Sequence, residues 1–109
     1  MKLVMAIIHD EDAHRLMDVL NENGFSVTKL ASTGGFLRSG NTTILIGTEN
    51  EKVELATTLI EKTCKNRKQM IAAHTSQVTV SEGYMPYPIE VTVGGATIFV
   101  LDVENFKKV

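Results

Sequence analysis

The chain has 109 residues, of which 43% are hydrophobic and 22% are charged, and its formal net charge is −2. This length suffices for one domain with a single core and is too short for two. The acidic balance and the scattered basic residues argue against a nucleic-acid-binding protein, because no basic stripe is present. The N-terminal apolar run, LVMAII, is too short for a signal peptide or a membrane span. We therefore expect a cytoplasmic protein without membrane insertion.

The first half of the chain predicts one strand, one helix and two further strands. Residues 2–9 form a short apolar run that is typical of a buried strand. Asp10 is a candidate helix cap, and apolar residues at helical spacing continue from it to a stop at Gly24. Residues 25–31 and 41–47 are predicted strands, joined by a glycine-rich loop as a hairpin-like pair.

The second half completes an α+β pattern. A second amphipathic helix follows Thr48 or Asn50 as its cap, and residues 69–73 form a fourth strand that could lie beside the first. The order βαββαβ is the ferredoxin-like split unit, with two helices on one face of an antiparallel sheet. After a polar linker at 75–88, two strands around a Gly-Gly turn predict a C-terminal β-hairpin. The prediction is one ferredoxin-like domain over residues 1–109 with an added hairpin.

The predicted hairpin, residues 89–101, suggests an oligomer. Edge strands need partners, and the only charge that would blunt this edge is Glu90. The hairpin could cover the sheet within the subunit or across a subunit interface. Phe99 points away from the predicted core, so it either stacks on a ligand or fills an interface. The C-terminal tail could return over the sheet through Phe106.

Catalytic and metal-binding signatures are missing from the sequence. No HExxH, CxxC, Ser-His-Asp or Cys-His pattern occurs, so we predict a protein that is not an enzyme and has no metal site or cofactor. The acids at 10–12 fit helix N-terminal charges better than metal ligands acting with His9 and His14. Cys64, the only cysteine, favours a reducing compartment and a buried, unreactive thiol. The KNRK cluster at 65–68 is typical of a solvated loop or a helix C-terminus.

The glycine-rich loop and the strand after it, TGGFLRSGNTTILIG at 33–47, form the most informative segment. Adjacent glycines allow backbone N–H groups to converge on an anion. Arg38 is a forked cation suited to phosphate, Phe36 and Leu37 offer apolar surface, and Asn41 can meet a base edge. A tight hairpin connection explains the glycines alone but does not need these side chains. The segment therefore predicts a nucleotide-type site.

Strand geometry limits how this site can be built. Asn41 and Gly47 face the same side of one predicted strand, yet they are ~20 Å apart at about 3.3 Å per residue. They cannot both contact one base within one subunit. Either they contact different parts of an extended ligand, or two chains share the site.

Four longer motifs allow a comparison with a known family. They are TKLASTGGFLRSGNTT (28–43), TCKNR (63–67), YMPYPIEV (84–91) and VGGATIFVLDV (93–103). Through them the chain resembles, essentially from end to end, the small PII-like signal-transduction proteins of Gram-positive bacteria that act as cyclic di-AMP receptors. The resemblance implies a PII-like homotrimer with three cyclic di-AMP sites at its interfaces and no enzyme activity. It also implies loop rearrangements that pass the signal to an unidentified downstream protein.

Carried over by position, the resemblance implies a set of ligand-binding residues. Phe36 and Leu37 would hold an adenine, and Asn41 and the Gly47 backbone would meet adenine edges. The Gly35 and Phe36 N–H groups and Thr28 would lie near phosphate. Members often carry Asn and Arg where this chain has Gly24 and Ser26, and Gln where it has Lys108. The further candidates, including three cations that could replace the missing arginine, are Ser26, Lys29, Arg38, Phe99 and Lys108.

Other classes of function remain open at this point. The chain could be a ferredoxin-like regulatory module that binds another nucleotide or a small anion. It could also be an oligomeric interaction module without a ligand, in which Phe36 and Phe99 only pack an interface. An enzyme acting on phosphate esters would need a base or nucleophile beside Gly34-Gly35, and the sequence offers none.

Overall fold

The computed structural model describes residues 1–30, 40–72 and 88–109, with only the backbone described at 71 and 72. The elements in chain order are β1 (Lys2–His9), α1 (Asp10–Glu22), β2 (Val27–Leu30), β3 (Asn41–Thr48), a 3-10 turn (Asn50–Lys52), α2 (Val53–Thr63), β4 (Arg67–Ala72), β5 (Pro88–Val93) and β6 (Ala96–Asp102). Two helices and antiparallel sheets confirm the predicted α+β class.

The strands form two antiparallel sheets. One has four strands in the order β2-β3-β1-β6, and the other consists of β4 and β5 alone. The fourth strand therefore does not lie beside β1, and β5 and β6 do not pair as a hairpin. β6 takes the place beside β1 because its Ile98 packs against the core, whereas β4 begins with the exposed polar side chains of Arg67, Lys68 and Gln69. We call the second sheet the β4–β5 ribbon.

The core lies between the four-stranded sheet and the two helices. Alternate side chains of β1 and β3 point to the helices, as the period of two along a strand requires. These are Val4, Ala6, Ile8, Ile44 and Ile46, all at most 1% exposed. The helices and adjoining segments contribute Ala13, Leu16, Leu20, Phe25, Ala56, Ile60 and Cys64. Neither helix packs on the opposite face of the sheet, which we call the helix-free face.

Both helices begin differently from the prediction. His9 is the residue that precedes α1, and Asp10 is its first helical residue rather than its cap. The Asp10 carboxylate instead accepts a hydrogen bond from the Thr42 hydroxyl at the start of β3. α2 follows the 3-10 turn, with Lys52 before its first residue, so neither predicted cap is used.

Asp12 is a buried carboxylate rather than an exposed helix-end charge. Its side chain is completely inaccessible, and Asp10 and Glu11 beside it are exposed. Arg67 Nη2 donates to Asp12 Oδ1 over 2.9 Å, and Arg15 Nη2 donates to the same oxygen over 3.1 Å. The hydrogen bond that Arg67 donates to Asp12 raises the pKa of the Arg67 guanidinium. In the described part of the chain, no three His, Cys, Asp or Glu residues are grouped as a metal site.

The glycine pair Gly94-Gly95 forms the corner between the β4–β5 ribbon and β6. Both residues have positive φ, +82° and +94°, a region that L side chains rarely adopt. A Cβ on Gly94 would lie 2.6 Å from the carbonyl oxygen of Lys65 and equally close to Arg67 Nη1. The Gly95 N–H donates to the Cys64 carbonyl. The corner thus needs glycine for its conformation and, at Gly94, for close packing.

Gly94→Ala should lower the free energy of unfolding by about 2 kcal/mol, since it adds a steric clash to left-handed backbone strain. Gly24→Ala is the matched control, because Gly24 has φ +86° but nothing within 4 Å of a Cβ. For Gly24→Ala we expect the free energy of unfolding to fall by about 1 kcal/mol, from backbone strain alone. Urea unfolding at one protein concentration measures both changes. Equal losses for the two variants would contradict the close packing at Gly94.

Cys64 is fully buried at the end of α2, as predicted. Burial, together with the nearby Asp12 carboxylate, raises the pKa of the Cys64 thiol from 9.0 to about 11. Between these values the unfolded chain loses the thiol proton and the folded chain keeps it. The free energy of unfolding should therefore fall as the pH rises from about 9 towards 11, by at most about 2 kcal/mol from this group.

The Cys64 contribution can be isolated with Cys64→Ala. Other groups titrate in the same range, so the quantity to compare is the pH slope of the free energy of unfolding in the two proteins. Urea unfolding between about pH 8 and 10.5 should give a flatter slope for Cys64→Ala than for the unmodified chain. Identical slopes would show that the thiol pKa is not raised in the folded state.

Candidate functional site

The helix-free face of the four-stranded sheet carries apolar side chains. Met5 lies opposite Leu45 on β3 and opposite Phe99 on β6, so these three side chains share the face at its centre. Phe99 is 49% exposed, and Leu30 and Leu101 are each 44% exposed. Apolar side chains on an exposed sheet face are typical of an interaction surface.

A cavity of about 540 Å³ opens at one end of this face, and we call it the tail cavity. The C-terminal tail closes one side of it and the strands β1, β2 and β3 form the other. Its lining residues are Met1, Leu3, Ser26, Thr28, Leu45, Gly47, Phe106, Lys107 and Lys108.

Strand register brings the sheet residues of the tail cavity together. Thr28 on β2 lies opposite Leu45, and Leu3 on β1 lies opposite Gly47. Gly47 is exposed, and nothing lies within 4 Å of where its Cβ would be. The missing side chain therefore leaves the β3 backbone open to the cavity. Phe106 provides an apolar wall from the tail, as the sequence suggested.

The charge around the tail cavity favours an anion. Among the described residues that line it, the only charged side chains are those of Lys107 and Lys108, and both are cations. Lys2 at the start of β1 is already paired with Asp102. A cavity with two cations, a threonine hydroxyl and exposed strand backbone can hold a phosphate group beside a flat apolar group.

A second, more polar cavity of about 340 Å³ lies at the other end of β3, and we call it the Asn41 cavity. Asn41 is half-buried there and pairs with His9 in the sheet. The Gly40 carbonyl accepts a 2.8 Å hydrogen bond from the Asp10 N–H, which attaches the end of the glycine-rich loop to α1. The lining residues are Ile7, His9, Asn41, Asn66, Gly94, Gly95, Ala96 and Thr97.

The structure groups some predicted site residues and separates others. The tail cavity brings together Ser26, Thr28, Gly47 and Lys108. Asn41 lines a different cavity, so one subunit does not place it beside Gly47.

Two further predicted residues are not among the described lining of either cavity, and four others are not described. Phe99 lies between the two cavities on the helix-free face. Lys29 pairs with the core residue Ile44 and so lies on the opposite face from Thr28. Gly35, Phe36, Leu37 and Arg38 lie outside the described residues.

Sequence reasoning missed part of the tail cavity. Met1, Leu3 and Lys107 were not candidates, although the strand period places Leu3 on the helix-free face with Met5. The available signal was the tail itself, where an aromatic residue precedes two lysines after the last strand. That signal pointed to Phe106 over the sheet but did not reveal a cavity.

Comparisons with known proteins show the family to which this chain belongs. The chain matches, over residues 1–109, the family described as "Cyclic-di-AMP receptor". The chain belongs to this receptor family. It is also similar to a solved crystal structure, that of a functionally unknown protein from Pediococcus pentosaceus ATCC 25745. The two are 41% identical with a TM-score of 0.76, and the match covers 99% of this chain and 96% of that one.

The family match supports a receptor role for this chain, and with it a binding role rather than a catalytic one. Across residues 1–30, 40–72 and 88–109, neither helix has the length and apolar character needed to cross a membrane.

Proposed function

We propose that this chain is a non-enzymatic, cytoplasmic receptor that binds cyclic di-AMP between the subunits of a homotrimer. The observation that carries the proposal is the family match over the whole chain, combined with a tail cavity formed by Thr28, Gly47 and two lysines. Cyclic di-AMP has two phosphates and two adenines, so it requires cationic or N–H donors and flat apolar surfaces in one site. The tail cavity offers both kinds of group.

The division of the site between subunits is supported by distance. Gly47 and Asn41 lie at opposite ends of β3, ~20 Å apart at 3.3 Å per residue. A ligand in the tail cavity of one subunit can meet Asn41 only if a neighbouring subunit provides it. In this arrangement Thr28 and the tail lysines bind phosphate, the open Gly47 backbone meets one adenine, and Asn41 of the neighbour meets an adenine edge.

The helix-free face supports the trimer. Phe99, Leu101 and Leu30 are each 44–49% exposed on this face or at its edge strands. Packing these faces against each other would bury apolar surface, which is the main favourable contribution to stable association. Ile98, next to Phe99 in β6, points to the other face of the sheet and packs against the core. One face of β6 therefore contacts the core, and the other is available to a neighbouring subunit.

The signal would pass through two segments that connect strands. The glycine-rich loop joins β2 to β3, and the segment 73–87 joins β4 to β5. A ligand that contacts two subunits stabilises whichever arrangement of these segments completes its contacts, and so shifts the population towards it. A downstream protein that binds one arrangement would then respond to the ligand concentration.

Isothermal titration calorimetry with cyclic di-AMP, cyclic di-GMP and ATP tests the proposal. We expect saturable binding of cyclic di-AMP with one site per subunit and much weaker binding of the other two nucleotides. Light scattering on the same sample should give the mass of a trimer with and without ligand. Absence of heat with cyclic di-AMP at high micromolar protein would overturn the proposed ligand, and a monomeric mass would overturn the shared site.

A further inference from the structure

A third cavity lies on the helix side of the molecule, away from the tail cavity, and we call it the cationic cavity. It has a volume of about 290 Å³ and lies between α1, the end of α2 and the start of β4. Four of its six described lining residues are cations, and none of the six is a carboxylate: Arg15, Lys62, Thr63, Lys65, Asn66 and Arg67. The receptor function proposed above uses none of these residues.

The two arginines of this cavity are held in place. Arg15 and Arg67 both donate to the buried Asp12 carboxylate. Glu11 adds a weaker contact, with its Oε1 3.8 Å from Arg67 Nη2. The side chains of Arg15 and Arg67 nevertheless remain 58% and 39% exposed, so both are accessible from the solvent. Their orientation is set before any ligand arrives, which lowers the entropy cost of binding.

The two lysines add positive charge that the described residues do not neutralise. No carboxylate of the described residues lies within 4 Å of the ammonium of Lys62 or Lys65. Glu61 and Lys65 both line an adjoining cavity without forming an ion pair. Among the described residues, two carboxylates contact the four cations: the buried Asp12 and, at the rim, Glu11. The cavity therefore has a net positive charge.

Stabilising the end of α2 does not account for all four cations. Cations are favoured at helix C-termini because the last carbonyls have no partner within the helix. Here the Thr63 carbonyl already accepts from Arg15 Nη2 over 2.9 Å, and the Lys65 carbonyl accepts from Arg67 Nη1 over 3.2 Å. The arginines therefore fulfil this role, and both lysines remain available to a ligand.

We propose that the cationic cavity binds a phosphate-class anion with two or more negative charges, either a phosphomonoester or a diphosphate. Guanidinium groups with a fixed orientation recognise phosphate oxygens through directed N–H bonds, and two mobile ammonium groups add charge. The volume fits a phosphate or diphosphate group and is too small for a dinucleotide. The group could belong to a free metabolite or to a phosphorylated side chain of a partner protein, since the chemistry is the same.

Titration of the full chain with inorganic pyrophosphate, followed by two-dimensional amide NMR at constant ionic strength, tests this proposal. We expect saturable shifts centred on the amides of residues 62–67. Lys62→Ala and Lys65→Ala should each weaken binding about five- to tenfold, as loss of a charge-assisted contact implies. Lys52→Ala is the matched control, because Lys52 is an exposed lysine in the 3-10 turn outside the cavity. The pyrophosphate affinity of this variant should equal that of the unmodified chain.

Shifts that do not saturate, that spread over lysines throughout the surface, or that are equal in all three variants would overturn the proposal. A phosphoserine peptide in the same titration separates the two sources of the ligand. Binding of the peptide more tightly than free pyrophosphate indicates a protein partner, and the reverse order indicates a small molecule. Cyclic di-AMP binding is measured separately by calorimetry, and none of the three substituted lysines lines the tail cavity or the Asn41 cavity. Failure of one site can therefore be distinguished from failure of the other.

Discussion

Gly47→Leu should reduce the affinity for cyclic di-AMP at least about 100-fold while leaving the subunit folded. Gly47 lies in β3 with ordinary extended backbone, and nothing occupies the space where its Cβ would be. A leucine is therefore compatible with the strand, and its side chain would project into the tail cavity. It would occupy the place proposed for one adenine and cover the β3 backbone. A 100-fold loss corresponds to about 2.7 kcal/mol of binding free energy.

The Gly47→Leu experiment needs a control for the leucine itself. Thr92→Leu introduces the same side chain at an exposed strand position in the β4–β5 ribbon, away from the tail cavity. Calorimetry should show normal cyclic di-AMP affinity for Thr92→Leu and loss of binding for Gly47→Leu. Light scattering and circular dichroism should show that both variants keep the mass and fold of the unmodified chain. Normal affinity in Gly47→Leu would exclude the tail cavity as the ligand site.

Asp12→Asn should lower the free energy of unfolding by about 3 kcal/mol. The carboxylate is completely buried, and its charge is stabilised by hydrogen bonds from Arg67 and Arg15. An amide of the same shape keeps an oxygen acceptor but loses the charge and places N–H donors against guanidinium donors. Removing one partner of a buried ion pair costs several kcal/mol, and the partial exposure of both arginines reduces that figure here.

A double-mutant cycle with Arg67→Met separates the ion pair from other effects of Asp12→Asn. In the Arg67→Met background the buried Asp12 carboxylate has lost its principal partner, so removing its charge should cost much less or even stabilise the protein. Urea unfolding at one protein concentration gives all four free energies. Equal costs for Asp12→Asn in both backgrounds would show that the Asp12–Arg67 pair contributes nothing. Arg15→Met serves as a comparison. We expect it to couple to Asp12 more weakly, because Arg67 donates to both carboxylate oxygens and Arg15 to only one of them.

The sequence by itself determined the elements. It also predicted that Phe99 points away from the core, and its neighbour Ile98 does pack against the core, because a strand turns every second side chain to the same side. Helical spacing located both helices, and the spacing of Asn41 and Gly47 already excluded that both contact one base within one subunit. The motifs pointed to the cyclic di-AMP receptor family, which the match over residues 1–109 confirms.

Only the tertiary structure decided which strand lies beside β1, which acid is buried and where the tail lies. Pairing of β4 with β5 rather than β1 depends on competition between distant strands, and local sequence does not encode that outcome. Asp10, Glu11 and Asp12 look alike as helix-end acids, and Asp12 is distinguished only by the approach of Arg67, far along the chain. The tail cavity likewise requires Phe106 and Lys108 to reach Thr28 and Gly47 across the sheet. Such contacts arise from packing between distant parts of the chain, and the sequence pattern indicated only that Phe106 could return over the sheet.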